Sequence, residues 1–134
     1  MDKTKSEHFH TMVTKGLFLA KRGRPDIAPT IAFLCTRVKN PTQQDWNKLS
    51  RMMTFLSQTK KDVMPLSCDG SGVIKWYVDA SFAVQDDYKS HTGAEIFLGK
   101  GSIISTSTKQ KVNTRSSTEA EVVAFDDVVS KIQW

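Results

Sequence analysis

Two carboxylates, Asp79 and Glu121, are the side chains of this sequence whose types and positions best suit chemistry. Asp79 closes the run Val73-Ile-Lys-Trp-Tyr-Val-Asp79, whose alternation of polar and apolar residues is typical of a β-strand. Glu121 closes Ser116-Ser-Thr-Glu-Ala-Glu121, which predicts the start of a helix. A carboxylate at a strand end facing a carboxylate on a helix is how proteins hold Mg²⁺ for phosphodiester chemistry. Together the two acids predict one metal site.

Each acid also has an ordinary interpretation when it is taken singly. Asp79 could begin a turn with Ala80 and Ser81, because aspartate is common at such positions. Glu121 could be an exposed residue of the first helical turns, where side chains often face solvent. The metal-site prediction therefore depends on the two acids occurring together.

The last helix distinguishes its two glutamates. With Ser116 as the N-cap, Glu119 lies three residues on, where it can close a capping box and meet the positive end of the helix dipole. Glu121 instead shares helical spacing with an apolar stripe that is expected to pack on the sheet: Ala124, Phe125, Val128 and Ile132. Burying an unpaired carboxylate is costly, so Glu121 is expected to need a cation or a partner. Asp126 and Asp127 turn away from this face and are predicted to be solvated.

The elements that position these acids follow from a change of hydrophobic period. Apolar residues recur at helical spacing over residues 8–20, from about Asp26 to Asn40, and from Thr42 to about Ser57. Beyond a polar, glycine-containing stretch the period becomes two, which predicts three antiparallel strands, with a hairpin turn at Gly99-Lys-Gly101. We therefore predict a helical segment at residues 1–62, a linker at 63–72 and a sheet domain with its first helix at 73–134.

Composition and charge narrow the class of protein. The chain has 134 residues, 39% hydrophobic and 25% charged, as in an ordinary globular protein. No run resembles a membrane span or a signal peptide, so an intracellular protein without membrane association is expected. Residues 1–61 carry a net charge of +8 and residues 62–134 carry −3. This asymmetry is compatible with binding of a polyanion by the basic half, and also with an ordinary solvated surface.

Several motifs carry a family resemblance. The acids lie within Tyr77-Val-Asp-Ala-Ser81 and Ser116-Ser-Thr-Glu-Ala-Glu121, with Gly93 and the stretch from Ser105 to Gln110 between them. In this order and spacing they resemble the ribonuclease H region of a copia-type LTR retrotransposon Pol polyprotein. Upstream motifs are similar to the helical segment that follows the polymerase palm in copia-type reverse transcriptases: Arg24-Pro-Asp-Ile-Ala28, Asn40-Pro41, Trp46 and Phe55-Leu56.

The resemblance implies an α+β fold, in which an N-terminal helical segment precedes a truncated ribonuclease H-like domain of three antiparallel strands and the first helix. It assigns Asp79 and Glu121, not Glu119, as the first two acids of a site that holds two Mg²⁺ ions. A third acid is expected on a strand beyond Trp134, and the palm is absent. The parent activity is Mg²⁺-dependent endonucleolytic hydrolysis of RNA in RNA/DNA hybrids, and this chain alone is expected to be inactive.

The resemblance also implies partners. They are an RNA/DNA hybrid or another nucleic acid, and the remainder of the Pol polyprotein. Lys109, Lys111 and Arg115 are candidates for contacts with the hybrid backbone, and Ser116 and Ser117 for a 2′-hydroxyl. These five residues could equally be solvated loop residues and a helix cap. Two other functions stay open: a non-catalytic nucleic-acid-binding remnant, and a decayed element with no selected role.

Overall fold

The computed structural model describes residues 2–85 and 87–133, which form two compact units, Met1–Val63 and Met64–Trp134. The elements in chain order are α1 (Lys3–Arg22), a 3₁₀ turn (Pro25–Ile27), α2 (Ala28–Arg37), α3 (Gln43–Gln58), β1 (Lys75–Ser81), β2 (His91–Phe97), β3 (Ser102–Lys109) and α4 (Ser117–Ile132). Helices followed by an antiparallel sheet and a helix confirm the predicted α+β class. Among the described residues, no helix is long and apolar enough to cross a membrane.

The first unit is a bundle of three helices around one apolar core. Its buried side chains come from every helix and from the 3₁₀ turn: Phe9, Val13, Ala20, Ile27, Ile31, Leu34, Leu49 and Met52. Gly16 lets α1 approach α2 closely, because a Cβ at that position would lie 2.5 Å from Ile31 Cδ1. Helix α1 begins at Lys3 rather than near residue 8, since its polar first turns carry no apolar period for a pattern to detect.

Helix α3 begins with the capping box that the sequence predicts. Thr42 Oγ1 accepts a hydrogen bond from the Asp45 amide at 3.3 Å, and Asp45 Oδ2 accepts from the Thr42 amide at 2.9 Å. Asp45 is only 5% exposed, so burial acts to raise the pKa of its carboxyl. The hydrogen bonds from Thr42, together with the positive charges of Arg37 and Lys48, outweigh burial and leave this pKa below its ordinary value. Aspartate thus replaces the usual glutamate without loss of the reciprocal contact.

Arg24 makes the contacts that give the Arg24-Pro-Asp-Ile motif a structural role. The guanidinium donates to Asp26 from Nη2 at 2.7 Å and to Thr59 Oγ1 at 2.6 Å, and it lies over the ring of Phe55 at 5.5 Å. The hydrogen bond to Asp26 raises the pKa of Arg24, and the same bond lowers the pKa of Asp26. The motif therefore ties the turn after α1 to the end of α3.

This ion pair makes the stability of the helical unit depend on pH. Because the pKa of Asp26 is lowered in the folded state, its contribution is present above the unfolded pKa and is lost as pH falls through the folded value. We expect Asp26→Asn to reduce the free energy of unfolding at pH 7 by about 0.5–1.5 kcal/mol, and by less below about pH 4. Urea unfolding followed by helical circular dichroism at both pH values measures the difference. Glu7→Gln on exposed α1 is the control, and equal losses at the two pH values would contradict the assignment.

The second unit is a three-stranded antiparallel sheet with α4 on one face. The strand order is β1-β2-β3, with Asp79 opposite Gly93 and Ala80 opposite Thr92 in the first pair. Thr92, Ala94 and Ile96 of β2 are buried, as are the residues of α4 that cover this face: Ala120, Ala124 and Val128. One face of β1 and β2 thus packs on the helix, and the alternate residues project from the other face.

The segment before β1 packs on the sheet rather than crossing free solvent. The Lys100 amide donates to Ser67 O at 3.0 Å, and the Asp69 amide donates to Leu98 O at 3.3 Å. A Cβ on Gly99 would lie 2.0 Å from the Ser67 carbonyl oxygen, so a side chain there would displace the segment. The close passage of the Ser67 segment past the hairpin therefore requires the predicted glycine at position 99. Residues 64–72, which were predicted to be a linker, are part of the second unit.

Candidate functional site

Asp79 lies within β1 and is exposed on the sheet face away from α4. Ala80, its neighbour, is opposite Thr92, and Thr92 is hydrogen-bonded to α4, so Ala80 projects toward the helix. Successive residues of a strand alternate in direction, which places Asp79 on the open face. Its Oδ1 accepts a hydrogen bond from the Ala80 amide at 2.9 Å. The strand continues for two residues beyond Asp79, so this acid is not the start of a turn.

Glu121 is exposed on α4, and the prediction that it belongs to the buried stripe is wrong. The buried positions are Ala120, Ala124 and Val128, whereas Phe125 is 55% exposed. Ala124 and Val128 belong to both the predicted and the observed stripe, but Ala120 is buried in place of Glu121 and Phe125, so the buried face is turned by roughly 50° from the predicted one. Glu121 lies at the border of this face and needs no partner to offset desolvation. The prediction that Glu121, rather than Glu119, is a metal ligand must therefore depend on the position of Glu121 relative to β1.

Two contacts show which way α4 is turned. Asp127 Oδ2 accepts a hydrogen bond from Thr92 of β2 at 3.1 Å, and Lys131 Nζ donates to Thr106 of β3 at 3.2 Å. These residues mark the flank of α4 that faces β3. Glu121 precedes Asp127 by six residues, about 120° around the helix, and so lies on the opposite flank, toward β1. Within the described sheet, β1 pairs only with β2, which leaves its other edge free. Asp79 thus projects from the open face of edge strand β1, and Glu121 lies on the other side of the sheet, on the flank of α4 turned toward the same strand.

The pair by itself offers limited metal binding. Carboxylate oxygens are the ligands that Mg²⁺ prefers, and both side chains are exposed enough to reach an ion. Across residues 2–85 and 87–133, however, no cluster of three or more histidine, cysteine, aspartate or glutamate side chains could hold a metal ion. Two acids fit Mg²⁺ chemically, but most of the coordination sphere would be water.

Glu119 has the structural role that the sequence predicts. Ser116 Oγ accepts a hydrogen bond from the Glu119 amide at 3.1 Å, which caps α4. In return Glu119 Oε2 accepts from the Arg115 amide at 2.7 Å, one residue before the usual capping-box donor. Its carboxylate is thus engaged in fixing the helix start, as expected.

The five candidate nucleic-acid contacts fall into two groups. Arg115, Ser116 and Ser117 are exposed around the start of α4, with the Ser116 hydroxyl used as the cap. Lys109 and Lys111 instead lie around the end of β3, where Lys109 Nζ pairs with Asp87 at 2.7 Å. That hydrogen bond lowers the pKa of Asp87. The five residues thus lie on two segments of the chain, and their binding role stays a prediction.

Sequence reasoning gave no role to Gln110, which is 1% exposed and links three elements. Its Nε2 donates to Ala120 O at 2.9 Å and to Thr92 Oγ1 at 3.1 Å, and its amide donates to Ser90 O at 2.9 Å. The carbonyl it holds belongs to the residue immediately before Glu121. The only signal was its position at the end of the Ser105–Gln110 motif. Asp127, predicted to be solvated, is exposed but also joins this network through Thr92.

His91 is a second polar side chain near Asp79. It lies opposite Ser81 at the end of β1, and its Nε2 is 2.8 Å from Ser107 Oγ. Burial lowers the pKa of His91.

Comparison with known proteins yields several relatives. The chain is 35% identical over 112 residues to the "Retrovirus-related Pol polyprotein from transposon RE2" of Arabidopsis thaliana, which covers 83% of the chain and 8% of the polyprotein. It is 31% identical over 114 residues to the "Retrovirus-related Pol polyprotein from transposon TNT 1-94" of Nicotiana tabacum, with the same two coverages. It is also 26% identical over 119 residues to the "Secreted RxLR effector protein 161" of Plasmopara viticola, covering 88% of the chain and 84% of that protein.

These matches confirm that the chain is similar to one segment of the retrotransposon Pol polyproteins, as the motifs indicate. The chain spans about 8% of the length of the Pol polyproteins it matches. No protein-family model matches it, and no solved structure does.

Proposed function

Because this chain is related to a short segment of the copia-type retrotransposon Pol polyproteins, we propose that it supplies the first two acids of a ribonuclease H-type site. The parent activity would be Mg²⁺-dependent endonucleolytic hydrolysis of the RNA strand of an RNA/DNA hybrid. The observation that carries this proposal is that Asp79 is exposed on edge strand β1, and Glu121 is exposed on the flank of α4 turned toward that strand.

Asp79 and Glu121 are the residues that would hold the metal. When bound, Mg²⁺ would supply positive charge for activating water and for stabilising the leaving oxygen of a phosphodiester. The protein's part is to hold the two carboxylates in place, exposed to solvent. The Ala80 amide does this for Asp79, and the Gln110 contact with Ala120 O fixes the helix turn that carries Glu121.

The substrate contacts would come from the start of α4. Arg115 is exposed beside the cap and suits a backbone phosphate, and the exposed Ser117 hydroxyl suits a 2′-hydroxyl. The competing function is nucleic-acid binding without cleavage, supported by the net charge of +8 on residues 1–61. The two functions differ in whether the acids are needed.

Binding of Mn²⁺, a paramagnetic substitute for Mg²⁺, tests the acid pair in the 134-residue chain. We expect Mn²⁺ to broaden the amide resonances around Asp79 and Glu121 together, because both carboxylates would hold the same ion. Asp79→Asn or Glu121→Gln should each remove the broadening at both positions, whereas Asp126→Asn, an exposed acid of the same helix, should leave it. Broadening that survives loss of either acid, or appears at only one of them, would contradict a shared site.

The same variants separate the competing function. Since Asp79 and Glu121 are the only two acids of the proposed site, cleavage of a labelled RNA/DNA hybrid in Mg²⁺ by the natural chain is expected to be no greater than cleavage by Asp79→Asn. Hybrid binding that weakens steeply with salt and is unchanged in Asp79→Asn would instead favour a non-catalytic nucleic-acid binder.

A further inference from the structure

A second polar site lies on the helix side of the sheet, between β3 and α4. This β3–α4 groove has a volume of about 290 Å³. Its lining residues come from β2, β3, the turn that follows and α4: Thr92, Thr106, Thr108, Lys109, Lys111, Asp127, Val128 and Lys131. The groove is therefore lined by hydroxyl and ammonium groups together with apolar surface, to which Val128 belongs.

The charge of the groove favours an anion. Three lysines face one carboxylate, and the Asp127 carboxylate is already engaged by the Thr92 hydroxyl. Lys109 pairs with Asp87, so its charge is largely compensated. Lys131 Nζ is held at the groove by its hydrogen bond to Thr106, and an ammonium group has two further N–H donors to offer. No ion pair forms at Lys111 among the described residues, so Lys111 and Lys131 provide the positive charge.

The donor set suits a tetrahedral oxyanion. Ammonium groups act as point charges without the planar fork with which arginine matches a carboxylate. The Thr106 and Thr108 hydroxyls lie on the same face of β3, two residues apart, and can each donate to a different oxygen. The groove is at the small end of ligand sites, so it holds one charged group rather than a whole drug-sized molecule. We propose that the β3–α4 groove binds a phosphate group, either a phosphodiester of nucleic acid or a terminal phosphate.

This site is independent of the acid pair. Thr106 and Thr108 are opposite Ala94 and Thr92, which are buried beneath α4, whereas Asp79 projects from the other sheet face. Phosphate binding in the groove should therefore need no divalent metal and should survive Asp79→Asn. The proposal goes beyond the nuclease assignment, and either one can fail without the other.

Titration of the 134-residue chain with inorganic phosphate, in EDTA and low salt, tests the site by amide chemical shifts. We expect saturable shifts centred on Thr106, Thr108 and Lys131. Lys131→Gln and Lys111→Gln should each weaken binding by about threefold to tenfold, as expected for loss of one charged donor. Lys100→Gln, which makes the same charge change at the β2–β3 hairpin, should have little effect. Equal weakening by all three variants, or shifts spread over the basic helices without saturation, would overturn the proposal.

Two further probes distinguish the source of the phosphate once the site is mapped. A nucleoside 5′-monophosphate carries a terminal phosphate, and a short oligonucleotide without terminal phosphates carries only phosphodiesters. Competition by the oligonucleotide at the same resonances would assign the groove to a nucleic-acid backbone, and competition by the monophosphate alone would assign it to a terminal phosphate. Failure of both to displace inorganic phosphate would overturn the assignment to phosphate esters.

Discussion

Gln110→Ala is expected to lower the free energy of unfolding of the sheet unit by about 2–4 kcal/mol, the sum of a buried cavity and two lost hydrogen bonds. Gln110 is almost fully buried, and its Nε2 joins the Ala120 carbonyl to the Thr92 hydroxyl. Without this link the first turns of α4 lose their side-chain tie to β2. Urea unfolding followed by intrinsic fluorescence gives the loss of stability, and amide exchange in the first turns of α4 should accelerate most.

Gln110→Met separates the two contributions. Methionine keeps most of the volume but cannot donate, and it also removes Gln110 Oε1, a buried oxygen that accepts no hydrogen bond from the described residues. We therefore expect a smaller loss than for alanine, about 1–2 kcal/mol. Equal stability of the methionine variant and the natural chain would show that the hydrogen bonds contribute nothing, and that Gln110 is only a space-filling residue.

The path of the chain through strands and helices was predictable because it depends on local pattern. Alternation placed Asp79 on one face of β1 and Trp76 and Val78 on the other, and the observed burial of β1 follows that alternation. The helix caps at Thr42 and Ser116 were predictable for the same reason, since each cap hydrogen bond joins residues three apart. Such a pattern cannot fix the rotation of an amphipathic helix about its own axis to better than the angle between successive residues, about 100°.

Helix α4 shows why that limit matters for function. Small residues at 120 and 124 let the helix approach the sheet, so the buried stripe passes through alanines rather than through Phe125. A hydrophobicity pattern gives more weight to phenylalanine than to alanine and therefore turns the helix the wrong way. The argument that burial forces Glu121 to bind a cation fails for this reason, although the acid still lies beside β1.

Contacts between distant parts of the chain were beyond the sequence. Gln110 reaches Thr92, and residues near Ser67 cross the hairpin at Gly99, because the tertiary fold brings them together. Neither contact leaves a periodic signal, and a glutamine or a glycine has many common uses. The β3–α4 groove is of the same kind, since its lysines come from the end of β3, from the loop that follows it and from the end of α4.

Phe9→Ala is expected to have the largest effect on the helical unit, a loss of about 3–5 kcal/mol in the free energy of unfolding. Phe9 is fully buried in the cluster that joins α1 to α2 and α3, so its removal leaves a cavity that the surrounding side chains can fill only partly. A domain's whole stability is commonly about 5–15 kcal/mol, so much of the unit would unfold. Helical circular dichroism with temperature and amide exchange in α1–α3 measure the loss.

Phe18→Ala is the matched control, because it removes the same side chain from the same helix. Phe18 is 67% exposed. Among the aromatic and cation–π contacts of the described residues, its ring takes part in one, with the Arg22 guanidinium at 5.9 Å. Its truncation should change stability by about 0.5 kcal/mol or less, as is usual for surface positions. A loss at Phe18 comparable with that at Phe9 would mean that the exposed side of α1 is covered in solution, and the helical unit could then no longer be treated as one core with a solvated outer face.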